Sequence, residues 1–130
     1  MIRFHLDSRS GVSPYMQIVQ QVRNALRLGL LSEGEQLPTV KEVVAQLAIN
    51  PNTVLKAYRE LEHEGLVGAR PGVGTFVTGT LAPASVAAHG PLRQDLQRWI
   101  AKARRAGLDD ESIEALFETS FRSSTQADIA

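Results

Sequence analysis

The 130 residues carry 14 Lys and Arg against 14 Asp and Glu, are 43% apolar and 22% charged, and include no cysteine. That length suits one small domain or a small domain with an appendage, and the balance is that of a globular chain rather than a disordered one. The lack of cysteine excludes disulfides, thiolate zinc sites and cysteine nucleophiles, and zero net charge means that a polyanionic partner must be argued from where charges sit.

Residues 1–79 hold 8 basic and 7 acidic side chains and the remainder 6 and 7. Ile2, Phe4 and Leu6 alternate with Arg3, His5 and Asp7, a period-two pattern that predicts a short strand. Ser13 and Pro14 then read as the N-cap and first position of a helix. In it Tyr15, Ile18, Val19, Val22, Ala25 and Leu26 form the buried stripe, and Gln17, Gln20, Gln21, Arg23 and Asn24 fall on the outer face. Gly29 stops it.

After a loop through Glu33-Gly34-Glu35, Thr39 and Glu42 have capping-box spacing, and Val40, Val43, Val44 and Leu47 make two helical turns. A short break leads to Asn50 as cap and Pro51 at the next helix start. Val54, Ala57, Tyr58 and Leu61 form that helix's inner stripe, ended by Gly65. Leu66–Arg70 and Thr75–Thr78 flank Pro71-Gly72-Val73-Gly74 and predict a β-hairpin.

Thr80–Gly90 is small and uncharged and reads as a linker. Beyond it Leu92, Leu96, Trp99, Ile100 and Ala103 share one helical stripe. Gly107 stops that helix, and Asp109 or Asp110 begins another with Ile113, Leu116, Phe117 and Ser120 on one face. The expected organisation is a domain over 1–79, a linker over 80–90, a helical region over 91–122 and a frayed tail over 123–130.

Two helices joined by a tight turn, the second well capped, match a helix-turn-helix whose second helix enters a DNA major groove. Asn52, Thr53 and Lys56 lie outward. Asn can bind adenine in bidentate fashion, Thr can meet a thymine methyl or a phosphate, and Lys can reach guanine or phosphate. The hairpin then reads as a wing, with Arg70 at its tip and Gly72 and Gly74 allowing close backbone approach. The blander reading is that Asn50-Pro51-Asn52 only starts a helix and the hairpin is an ordinary tight turn.

The combination Ser13-Pro14-Tyr15 with Gln17-Ile18, Leu37-Pro38-Thr39, Asn50-Pro51-Asn52-Thr53-Val54 with Ala57-Tyr58, Glu64-Gly65-Leu66, Arg70 with Gly72, and Gly74-Thr75-Phe76-Val77 resembles the winged helix-turn-helix of the GntR family of bacterial transcriptional regulators. The Asn-Pro-Asn-Thr-Val form and the short stretch beyond the wing resemble its YtrA-type branch. The resemblance implies an α+β winged helix-turn-helix fold with a two-helix C-terminal dimerisation appendage. It implies DNA contacts from Thr39, Lys41, Asn50, Asn52, Thr53, Lys56, Arg70, Gly72, Gly74 and Thr75. Thr39 stands where the family usually has Ser, holding a phosphate. Lys41 stands where the family usually has Arg, and a lysine is a point donor that does not make an arginine's bidentate base contact.

Two helices with one apolar face each cannot build a stable core alone. Leu92, Leu96, Trp99, Ile100, Ala103, Ile113, Leu116 and Phe117 are therefore expected to cover a second copy of the chain, or alternatively the winged domain itself. A homodimer suits a near-palindromic DNA operator, and the YtrA-type resemblance implies the same while implying no large effector domain. A small-molecule effector stays open.

His5, His63 and His89 have no pairing that suits a metal, and no nucleophile, base and orienter assemble, so no cofactor, metal or catalytic residue is expected. The chain shows no membrane-length apolar run and no secretory h-region in residues 1–10, which with the absent cysteines points to the cytoplasm. The expected function is that of a DNA-binding transcriptional regulator, a homodimeric repressor. The alternative is a winged-helix protein-interaction module with no DNA target.

Overall fold

The computed structural model describes residues 1–82 and 89–129, with side chains as far as Thr125. It divides into two compact units, Met1–Val86 and Ala87–Ala130.

The first unit holds α1 (Pro14–Arg27), α2 (Val40–Leu47), α3 (Pro51–His63), β1 (Val67–Arg70) and β2 (Gly74–Val77). Ile18, Val19, Val22 and Leu26 of α1, Val43 of α2 and Val54, Ala57 and Leu61 of α3 are buried, so each helix spends its apolar stripe on one shared core. Phe4, Leu31, Leu37, Leu66, Val67 and Val77 close it. α1 and α3 end alike: Gly29 and Gly65 take left-handed backbone, and the N–H groups of Leu30 and Leu66 reach back to the carbonyls of Ala25 and Leu61 at 2.8 and 3.0 Å.

Two expectations fail at the N-terminus, for one reason. Residues 2–6 form no strand, and Gln17 is buried rather than outward. The extended segment lies along α1 and pairs its backbone with glutamine side chains instead of a neighbouring strand. Gln21 Nε2 donates to His5 O at 2.7 Å and Gln21 Oε1 accepts from His5 N at 3.2 Å. Gln17 does the same with Asp7, at 3.0 and 2.8 Å, and its Nε2 also reaches Val12 O and Ser10 Oγ. Residues i and i+4 of a helix face one way, as do residues two apart in an extended chain, so two glutamines four apart meet His5 and Asp7 in step.

β1 and β2 pair antiparallel from Val67 with Val77 to Arg70 with Gly74. The residues before α2 lie along the other edge of β2: Leu37 N–H donates to Thr75 O, Gly34 N–H to Val77 O and Val77 N–H to Glu35 O, each at 2.8 Å. Tyr58 ties the helix pair together from inside, its hydroxyl donating to Pro38 O at 2.6 Å. Burial and then the Glu42 carboxylate push this phenol above the ordinary tyrosine range. Ionising it opposes the fold, so its contribution is complete below the unfolded-state value of about 10 and fades as pH rises beyond that. Tyr58→Phe leaves the Pro38 carbonyl without its buried donor and is expected to lower the urea-unfolding free energy by about 1–3 kcal/mol.

The second unit is a helical hairpin, α4 (His89–Arg105) and α5 (Asp110–Ile129). Gly107 is left-handed and Leu108 N–H returns to Ala103 O at 3.1 Å. Asp109 caps α5 by accepting from Ser112 N–H at 2.8 Å, and its bonds with Ser112 hold its carboxyl below the usual range. Helix bounds differ from expectation at two places. α5 continues past Arg122 to Ile129, through the residues read as a frayed tail, and His89 and Gly90, read as linker, begin α4. Positions 83–88 of that expected linker lie outside the described residues.

Candidate nucleic-acid interface

The site begins with two helix starts. At α2, Thr39 and Glu42 form the expected capping box: Thr39 Oγ1 accepts from Glu42 N–H at 3.1 Å and donates to Glu42 Oε1 at 3.1 Å. The Thr39 hydroxyl is therefore engaged as a cap, and the groups left open in this turn are the N–H groups of Val40 and Lys41. Lys41 is exposed and, among the described residues, in no ion pair. At α3, Asn50 Oδ1 accepts from Asn52 N–H at 2.8 Å, which makes Asn50 the cap; Asn52 is exposed, its amide free of any hydrogen bond, and Thr53 is half-buried.

Two cations of the candidate site rest on aromatic rings. Lys56 Nζ lies 4.0 Å from the centroid of the Tyr15 ring, and the Arg70 guanidinium lies 4.3 Å above Phe76, its diagonal neighbour across the hairpin. Among the described residues neither has a carboxylate partner, and neither does Arg59. The one ion pair of the first unit among the described residues joins Arg23 to Glu64 at 2.5 Å, just past the C-terminal end of α3. Acidic residues along that helix gather in the same half, at Glu60 and Glu62, leaving its first two turns without one. Near-neutral bulk charge thus conceals a helix whose first two turns carry Lys56 and no acid.

At the hairpin tip Pro71, Gly72 and Val73 are exposed, and Gly72 is left-handed. Gly74 has φ +146°, and a Cβ there would come within 2.5 Å of Gln36 Nε2, which donates to Val73 O at 3.1 Å. The backbone favours glycine at 74, and a Cβ there would also push the Gln36 amide off its bond to Val73 O. Thr75 is half-buried, and its carbonyl is taken by Leu37.

Sequence reasoning did not single out four residues here. Tyr15 was read as core, yet its ring also carries Lys56. Gln36 fixes the wing to the segment before α2. Leu55 and Arg59 are exposed on α3, spaced three and seven residues after Asn52. Helical spacing contains that signal, but neither residue was placed on a face from the sequence.

In the second unit Ala103 and Ile113 are buried, Trp99 and Ile100 are half-buried, and Leu92, Leu96, Leu116 and Phe117 are exposed. Phe121, absent from the expected face, is 64% exposed and stacks on Phe117 with ring centroids 6.0 Å apart. Leu96, Trp99, Ile100, Ile113 and Phe117, with Glu114 and Glu118, line a groove of about 370 Å³ between the two helices. No helix among the described residues is long and apolar enough to cross a membrane.

Residues 14–77 match the family described as bacterial regulatory proteins, gntR family. The chain is 34% identical over 109 residues to the HTH-type transcriptional repressor YtrA of Bacillus subtilis, covering 83% of this chain and 84% of that one. Its fold is similar to that of a transcriptional regulator from Oenococcus oeni, at 36% identity and TM-score 0.50, spanning 91% of this chain and 99% of the other. It is also similar to YtrA from Sulfolobus acidocaldarius, a GntR-family transcription factor, at 28% identity and TM-score 0.55, spanning 75% and 97%. With the hairpin beside α3, the capped helix starts and these relatives, the chain belongs to the gntR family of bacterial regulatory proteins and has its winged helix fold.

Proposed function

We propose that this regulator binds duplex DNA sequence-specifically as a homodimer, acts in the cytoplasm and represses by occupying a promoter. The observation that carries the reading is the segregation of charge in the first unit: Lys41, Lys56, Arg59 and Arg70 have no carboxylate partner among the described residues, while the acids of α3 sit in its C-terminal half. In this reading Asn50, Asn52 and Thr53 meet base edges or the adjacent backbone, and Lys41 and Lys56 meet phosphates. Arg70, Gly72, Gly74 and Thr75 bring the wing against the neighbouring groove. At α2, an incoming phosphate meets the open N–H groups of the turn that Thr39 caps, rather than the engaged hydroxyl. The chain's role is binding rather than catalysis. Retardation of its own upstream region should weaken steeply as salt rises; salt-insensitive or absent retardation would leave the winged helix as a protein-interaction module.

The homodimer rests on the second unit, whose two helices bury Ala103 and Ile113 and leave Leu92, Leu96, Leu116, Phe117 and Phe121 at the surface. A second copy covering these faces, with Trp99 and Ile100 between them, removes that apolar area from water. Sedimentation of the intact protein at micromolar concentration should give a dimer. Trp99→Ala, acting once in each copy, should weaken it about a thousandfold. A monomeric wild type would remove the assignment.

A further inference from the structure

Leu55 is a large apolar side chain on the outer side of α3 that lies outside the core and keeps about a third of its surface open to solvent. It is 36% exposed and absent from the core cluster, whereas Val54, Ala57, Tyr58 and Leu61 beside it are 0–5% exposed. At 3.6 residues per turn, Asn52, Leu55 and Arg59 follow one another along a single stripe. Lys56 falls to one flank of it, toward α1, because its ammonium sits on Tyr15. Leu55 thus lies on the flank of the outer face away from Lys56, one turn after the Asn52 amide and one turn before the Arg59 guanidinium.

We propose that Leu55 is a specificity-determining residue that reads thymine by its C5-methyl group. This rests on the DNA-binding reading above. In a major groove the edges of the bases offer one apolar substituent, the thymine methyl, and every other group there is a hydrogen-bond donor or acceptor that a leucine leaves without a partner. One turn before it, Asn52 presents an exposed amide suited to adenine. Together they favour neighbouring A·T pairs in each half-site, with Leu55 penalising a G·C pair at its own position.

Selection of random duplexes by the intact protein, followed by replacement of each thymine in the selected duplex with deoxyuridine, removes methyl groups one at a time. The wild type is expected to bind about fourfold more weakly when the methyl facing Leu55 is missing. Leu55→Ala should bind the thymine and deoxyuridine duplexes nearly equally, with a thermal midpoint at most slightly lowered, since the side chain lies outside the core. Leu55→Gln should enrich adenine at that position. Sequence-specific binding with no methyl-sensitive position, or a Leu55→Ala variant that keeps the discrimination, overturns the assignment while leaving DNA binding intact. Failure of selection to enrich any sequence overturns the DNA-binding reading and this one with it.

Discussion

Replacing Gln17 with leucine should lower the free energy of unfolding by about 3 kcal/mol, although the new side chain is more apolar and the site is 8% exposed. The amide of Gln17 serves four partners: it accepts from Asp7 N–H and donates to Asp7 O, Val12 O and Ser10 Oγ. Leucine supplies none of these, and the groups left behind are partly enclosed. Some recover water only if the segment before α1 lifts away, and that movement would uncover Phe4, which belongs to the core. Two measurements separate this from a general loss of packing. Urea unfolding should give the decrease in stability, and amide exchange should show the Asp7 N–H losing protection before any amide of α3. Gln20→Leu, on the exposed face one turn away, should change neither. A Gln17→Leu protein as stable as wild type would mean that the N-terminal segment contributes nothing to the fold.

The second large effect concerns the proposed DNA face. A variant with Lys41, Lys56 and Arg70 all changed to alanine should lose at least about a thousandfold in affinity near 0.15 M salt, since each of the three charge-assisted contacts contributes about 1.5–3 kcal/mol. The slope of log affinity against log salt should become shallower by about 2.7 per chain, as three fewer counterions leave the duplex. Fold stability should fall by no more than about 1–2 kcal/mol, the loss of the two cation–π contacts, because none of the three enters an ion pair among the described residues. The individual changes differ in a way the aromatic platforms dictate. Lys56 and Arg70 are already held on Tyr15 and Phe76, so less side-chain freedom is lost when they meet a phosphate. Lys41 has no such support, and Lys41→Ala should be the mildest of the three. A triple variant that binds as tightly as wild type with the same salt slope would remove these residues from the interface.

Periodicity made the three helices of the first unit and the hairpin legible. Each helix has a single apolar stripe, α2 and α3 have side-chain caps while α1 starts at Ser13-Pro14 without a cap bond, and Gly65 and the Pro71–Gly74 turn punctuate the rest. Alternation at Ile2, Phe4 and Leu6 was the same kind of signal but not the same information. It reports an extended chain with one buried side, and Phe4 is indeed buried, while the partner along the backbone edge is not encoded in it. That partner proved to be two side-chain amides, and so Gln17, polar by type, was placed outward. The wing's third edge was hidden likewise, because Gly34–Leu37 has no alternation and pairs through main-chain groups. On α3 the inner stripe was read correctly, and its complement gave Asn52 and Lys56. Leu55 was placed on neither face, although helical spacing contained it. Phe121 lies within the expected helical region and four residues after Phe117, so spacing alone contained it, and it was left off the face in favour of Ser120.

The bonds joining residues 34–37 to β2, with Gln36 lodged against Gly74, mean that the hairpin is no swinging arm. Its tip stands at a fixed offset from the start of α2, and α2 is in turn held to α3 through the Tyr58–Pro38 bond. With wing and α3 gripping DNA as proposed above, the protein would work as a caliper with one setting. A duplex whose groove spacing differs from that setting has to bend or change its groove width to be gripped, so the stiffness of the base steps between the two points of grip becomes part of what is recognised, even where no side chain touches them.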